Sequence, residues 1–116
     1  MKINQTVCEH AVKRVTELSE KCLFDHSGNK GSGYGENLAA GPTECEANVK
    51  LWTDEKPLYN SSNTEWQAEA GHYTQVVWKD SLDLCCAQAS HCKYKTVTLC
   101  SYYPHGNVIG KFNDNV

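Results

Sequence analysis

Seven cysteines, at positions 8, 22, 45, 85, 86, 92 and 100, carry the most definite chemistry in this 116-residue chain. No two stand as Cys-x-x-Cys, so the spacing writes neither a zinc ribbon nor a dithiol redox pair. In a domain this small, apolar burial alone leaves a thin stability margin, and disulfides commonly add to it. Most of the seven are therefore read as disulfides, and the compartment as oxidising, secreted and extracellular. An odd count leaves at least one sulfur over, or pairs it with another chain. Asn4-Gln5-Thr6 and Asn60-Ser61-Ser62 are glycosylation acceptor sequences at Asn4 and Asn60, which agrees with export. Met1-Lys2-Ile3-Asn4 turns polar at once and begins no apolar signal core, so the expectation is either a mature or trimmed chain or one whose true N-terminus is missing.

Other reactive residues are less organised. There is no His-Glu-x-x-His, and Ser27 beside His26 is not a nucleophile elbow. His10 on a helix flank, His91 in a hairpin turn and His105 in a terminal turn are expected to be solvated. The net charge is −3 and the basic residues are scattered, which argues against a nucleic-acid partner. No apolar run is long enough to span a membrane. A hydrophobic share of 40% is too high for a disordered chain, and the length suits one domain over 1–116.

These residues must be positioned by a few elements. Val7, Ala11, Val15, Leu18 and Cys22 fall on one helical face, opened by a capping box at Thr6 and Glu9. A glycine-rich stretch, 28–35, breaks regular structure. A second capping box, Thr43 to Glu46, opens a helix with Cys45, Val49 and Trp52 on its apolar face, and Pro57 should stop it. Glu55 is the next position on that face. A carboxylate there is partly buried and needs a partner or a function. Residues 73–78 fit a strand or a short helix equally. Residues 84–87 and 94–100 read as strands linked by a hairpin at 89–93. Helices first and strands later predict an α+β domain with a small antiparallel sheet.

With the segments laid out, the chain resembles the CAP superfamily of cysteine-rich secretory, antigen 5 and pathogenesis-related proteins. The residues that carry the likeness are CLFDHS (22–27), GYGENLA (33–39), LWTDEKPLY (51–59), GHYTQVVWKDS (71–81) and LCSYYPHGNVIG (99–110), in the family's order. Ser101 stands where asparagine is usual. The plant pathogenesis-related branch looks nearest. The resemblance spans about 5–110 and implies a three-layer α-β-α sandwich in which GHYTQVVW is helical. The family's usual first helix, with its His-Asn-x-x-Arg signature, has no counterpart in the sequence.

The resemblance further implies a cavity of His26, Glu36, Glu55 and His72. Two imidazoles and two carboxylates suit a divalent cation, zinc better than magnesium, although no cofactor is obligatory. A hydrogen-bonded cluster without metal is the bland alternative. The implied pairings are Cys22 with Cys92 and Cys86 with Cys100. Cys8, Cys45 and Cys85 are extra, and Cys8 with Cys45 is the guess taken. Binding of sterols or other lipids, in defence or host–microbe contact, is the leading functional expectation, with Leu58, Tyr59 and Trp66 as the apolar loop. The alternatives are a metal-dependent hydrolase at the same four residues, and a signalling ectodomain that meets a receptor or releases a peptide from Pro104 onward.

Overall fold

The computed structural model describes all residues, 1–116. The first element is a two-residue strand, β1 (Lys2–Ile3), followed by a 17-residue helix, α1 (Gln5–Lys21). The apolar stripe of α1 is buried at Val7, Ala11, Val15 and Leu18, at steps of three and four. Its cap differs from the expected box. Asn4 is the N-cap, and its side-chain oxygen accepts from the Thr6 amide. The helix ends where Cys22 turns left-handed, with φ of 53°.

β2 (Gly35–Ala40) was not foreseen from residue types. Next comes α2 (Cys45–Thr53), for which Glu44 occupies the N-cap without a side-chain bond, so the second capping box does not form either. Pro57 lies beyond the helix, within a short 3-10 turn at Lys56–Leu58. The ambiguous segment is helical, α3 (Gly71–Val77). Two nine-residue strands follow, β3 (Asp83–His91) and β4 (Lys95–Tyr103), longer than the sequence suggests, and a terminal turn of helix, α4 (Phe112–Asn115), closes the chain.

The sheet runs β1-β3-β4-β2. Three strands are antiparallel, but β1 pairs parallel with β3, so the sheet is mixed rather than purely antiparallel. Strand β4 is central and buried on both faces, and its alternation assigns the layers. Val97 and Leu99 join Leu38 against Ala11, Val15 and Leu18 of α1. Cys100 and Tyr102 join Ala39 against Trp52 of α2. Helices thus cover opposite faces, in three layers.

Disulfides join Cys22 to Cys92 and Cys86 to Cys100, and Cys8 to Cys85 rather than to Cys45. The correction follows from the layering. Cys8 lies on α1 and Cys45 begins α2, on the other side of the sheet, where it is exposed and free. The bonds from Cys8 and Cys22 fasten both ends of α1, and each closes a loop of 70 residues or more. Loop-closure entropy puts such bonds at about 4 kcal/mol each.

Candidate functional site

The four residues implied by the resemblance arrive from four segments. His26 precedes the turn Ser27–Asn29, Glu36 is the second residue of β2, Glu55 follows α2, and His72 is the second residue of α3. They form two pairs. The Nδ1–H of His26 donates to Glu36 Oε2 at 2.7 Å, and the Nδ1–H of His72 donates to Glu55 Oε2, also at 2.7 Å. Glu55 accepts from the Tyr73 amide as well, at 3.0 Å, which fixes both of its oxygens. His72 lies nearly parallel to the Trp52 ring, 6.0 Å between centroids. Each imidazole is oriented through Nδ1 and left with Nε2 unpaired by protein.

His26, Glu36 and His72 line one cavity of about 300 Å3, and Glu55 stands behind His72. A wider, polar cleft of about 560 Å3 adjoins it and shares His26, Glu36 and Asn107. Asn107 lines both. Its side chain accepts from Thr74 Oγ1 and donates to the Gly71 carbonyl, which docks the terminal turn onto α3. Asn37 also lines the smaller cavity and donates to the His72 carbonyl and to the Tyr102 hydroxyl, and burial pushes the Tyr102 phenol far up.

Sequence reasoning missed Arg14. This arginine is 3% exposed and sits on the α1 stripe between Ala11 and Leu18. Its Nε and Nη2 donate to the two oxygens of Glu36 at 2.8 and 3.0 Å. Nη1 donates to Glu17 at 2.7 Å, and Nη2 also reaches the Asp25 carbonyl. Burial alone would raise the Glu36 pKa, but hydrogen bonds from His26 and Arg14 outweigh it and hold the carboxyl below its ordinary value. The signal was present. A charged residue at a core step of a helix is the same anomaly that marks Glu55.

The donors do not form a four-ligand cage. The only place where three histidine, cysteine or acidic donor atoms lie within 4.8 Å of one another is Cys22, His91 and Cys92. Two of those are joined as a disulfide, so they offer no thiolate. His91 itself is 7% exposed and bonded through Nε2 to the Leu23 carbonyl, not solvated as expected. His10 also differs, stacking on Tyr34 at 4.0 Å and bonding Asn29.

The expected slot of Leu58, Tyr59 and Trp66 is not assembled. Tyr59 faces Tyr73, Leu58 is 55% exposed, and only Trp66 lines the histidine cavity. The loop turns back on itself through Gln67, which bonds the backbone of Asn60 and Asn63. Of the acceptor sequences, Asn60 is exposed in a turn, while Asn4 spends its side chain on the helix cap and on Asp83.

The model of the Cysteine-rich secretory protein family, CAP, matches residues 1–103. The chain belongs to the CAP family. It is 41% identical to pathogenesis-related protein 1B of Nicotiana tabacum over 111 residues, covering 90% of this chain and 64% of that protein. It is 43% identical to protein PRY2 of Saccharomyces cerevisiae over 98 residues, 80% of this chain and 29% of that one. The chain thus spans under two thirds of these relatives. Among solved structures, that of NaASP2 with Zn2+ superposes with a TM-score of 0.73 at 27% identity, covering 95% of this chain and 63% of that one. CAP members therefore occur in plant defence and in fungi, and no helix of this chain is long and apolar enough to cross a membrane.

Proposed function

We propose that this CAP chain is the ligand-binding module of a secreted, non-enzymatic protein of the pathogenesis-related kind, with its centre at the His26/His72 cleft. The observation that carries the reading is the matched pair of imidazoles. Both rings line one cavity, both spend Nδ1 on a carboxylate, and both keep Nε2 free. A histidine oriented by a carboxylate in this way is the usual arrangement behind a metal ligand. The donor set fits a divalent cation held by His26 and His72, zinc before magnesium, with Glu36 and Glu55 orienting rather than coordinating. Superposition on NaASP2, solved with Zn2+, supports the same choice. A bound cation would supply a positive charge for an anionic or carbonyl group of a ligand. Titration calorimetry with Zn2+ and Mg2+ tests this. Zinc should bind more tightly than magnesium, and His72→Ala should abolish the heat. Unchanged binding by His72→Ala would overturn the reading.

A sterol-like lipid is the second reading, favoured by Trp66. This indole is 46% exposed and forms an apolar wall beside hydrogen-bonding groups, the combination a hydroxylated lipid needs. Most of such a lipid would lie outside the small cavity, against the exposed face of Trp66. Saturable binding of labelled ergosterol that Trp66→Ala weakens is expected. No saturable binding by folded protein would end the reading.

Hydrolysis has less support. Ser27 Oγ donates to Asp25, not to His26, and both candidate carboxylates are engaged. Release of the tail has less support too, because Phe112 and Asn115 within it are buried.

A further inference from the structure

The two carboxylates behind the imidazoles are electrostatically unequal. Glu36, whose side chain is 2% exposed, is held at both oxygens by the Arg14 guanidinium, which itself is almost wholly buried. Arg14 also meets Glu17, and Glu17 has Lys21 at 3.9 Å, so two acids face two cations on that side. Glu55 has only His72 and the Tyr73 amide, with no lysine or arginine within 4.0 Å. Gly28 makes room for the arrangement, since a Cβ there would overlap the Glu17 and Arg14 side chains.

From this asymmetry we infer that Arg14 is a positioning and specificity residue: a fixed internal cation that cancels the charge of Glu36. The Glu36–His26 arm then meets a ligand without net charge, and Glu55 is the one carboxylate behind an imidazole that no arginine or lysine offsets. Arg14 is not a ligand and touches none. It acts through Glu36, by holding the carboxylate away from direct coordination and keeping it as the acceptor for His26 Nδ1–H. With one uncompensated carboxylate in place of two, the cleft selects a cation that prefers nitrogen ligands and discriminates against one held mainly by charge. This inference deepens the cation reading and rests on it.

The test is Zn2+ affinity by titration calorimetry for the wild type, Glu55→Gln, Glu36→Gln, Arg14→Met, Arg14→Lys and the Arg14→Met/Glu36→Gln double variant, with circular dichroism to verify folding. Glu55→Gln should weaken zinc about tenfold or more, which is about 1.4 kcal/mol. Glu36→Gln leaves the Arg14 charge uncompensated and should also weaken zinc about tenfold, whereas Arg14→Met combined with Glu36→Gln removes a neutral pair and should leave affinity within about threefold of the wild type. Arg14→Met should tighten zinc about tenfold, by freeing the charge of Glu36, and Arg14→Lys should return it towards the wild type. A gain of affinity is not what a merely structural residue would produce. Weakening by the Arg14→Met/Glu36→Gln double variant as large as that by Glu55→Gln would overturn the inference while leaving the cation reading intact. If Arg14→Met does not fold, that comparison decides alone. A wild type silent to zinc beside an Arg14→Met variant that binds it would sink the cation reading and support the role of Arg14. Silence in both would overturn both.

Discussion

Replacing Phe112 by alanine tests whether the C-terminal segment belongs to the folded body and to the cleft. Phe112 is 1% exposed, meets Trp78 edge-on at 5.1 Å and lies 6.1 Å from Trp66. Truncating a buried phenylalanine costs about 3–5 kcal/mol in transfer and cavity terms. Each well-formed aromatic pair adds about 0.5–1.5 kcal/mol, and the edge-on contact with Trp78 counts more than the tilted one with Trp66. Backbone bonds partly hold the segment without the ring. The Lys79 amide donates to the Asn115 carbonyl, and the Asp80 amide to the Asn115 side chain. These contacts argue for the lower part of the range, about 3 kcal/mol. Urea denaturation followed by tryptophan fluorescence measures it, and Trp66 and Trp78 both report. A second effect should accompany the first. Trp66 loses one of its supports, so ligand uptake at the cleft should fall in Phe112→Ala even under conditions where the protein is folded. A stability loss below about 1 kcal/mol would refute the packing argument and restore the releasable tail as a serious reading.

Three further outcomes are expected. The carboxyl of Glu36 is held below its ordinary value of 4.5, so the stability that it contributes is full above that pH and is lost as pH falls towards the lower folded value; the melting temperature should be level from pH 7 to about 5 and drop below it, and Glu36→Gln should remove part of the slope. Ser101→Ala should leave stability within about 1 kcal/mol or raise it, because the buried hydroxyl has no hydrogen-bond partner, and a loss above about 2 kcal/mol by urea denaturation would reveal a partner. Without reductant, maleimide followed by mass spectrometry should label one cysteine, Cys45, and labelling at Cys8 instead would contradict the Cys8–Cys85 pairing.

Periodicity made parts of this fold legible and not others. The stripe through Val7, Ala11 and Leu18 and the β-branched alternation around Val97 are strong local signals, and both appear as elements. Strand β2 escaped because Gly35-Glu36-Asn37-Leu38 has no β-branched residue and follows a glycine run. It is a strand because β4 pairs with it along its length, a tertiary cause. The Thr6 box failed because Asn4, two residues earlier, is an equally good cap, and the helix starts there. Within the site, Glu55 was legible as a charge on an apolar face, and Arg14 carried the same mark. His26 and His72 bear no such mark, since one lies in a turn and the other at the start of a seven-residue helix. Only the family motifs single them out. Cysteine spacing could not pair Cys8, because which face of the sheet a helix covers is not written in separation along the chain.

The position of Arg14 bears on what the chain retains for function. A buried ion pair is often no better for stability than apolar residues of the same volume, since desolvating both charges offsets their attraction. Yet Arg14 and Glu36 are buried where the α1 stripe would otherwise continue apolar. Cys8, six residues before on the same helix, and Cys22, the residue that caps its end, are both bonded across to the β3–β4 hairpin. Those two bonds, at about 4 kcal/mol each, secure α1 against the sheet regardless of what occupies its middle turn. The helix can therefore carry a charged residue at its centre without depending on it for attachment. On this argument the guanidinium is kept for what it does to Glu36 and His26, not for holding the fold. An apolar replacement made together with Glu36→Gln should then leave a stable protein whose cleft is altered.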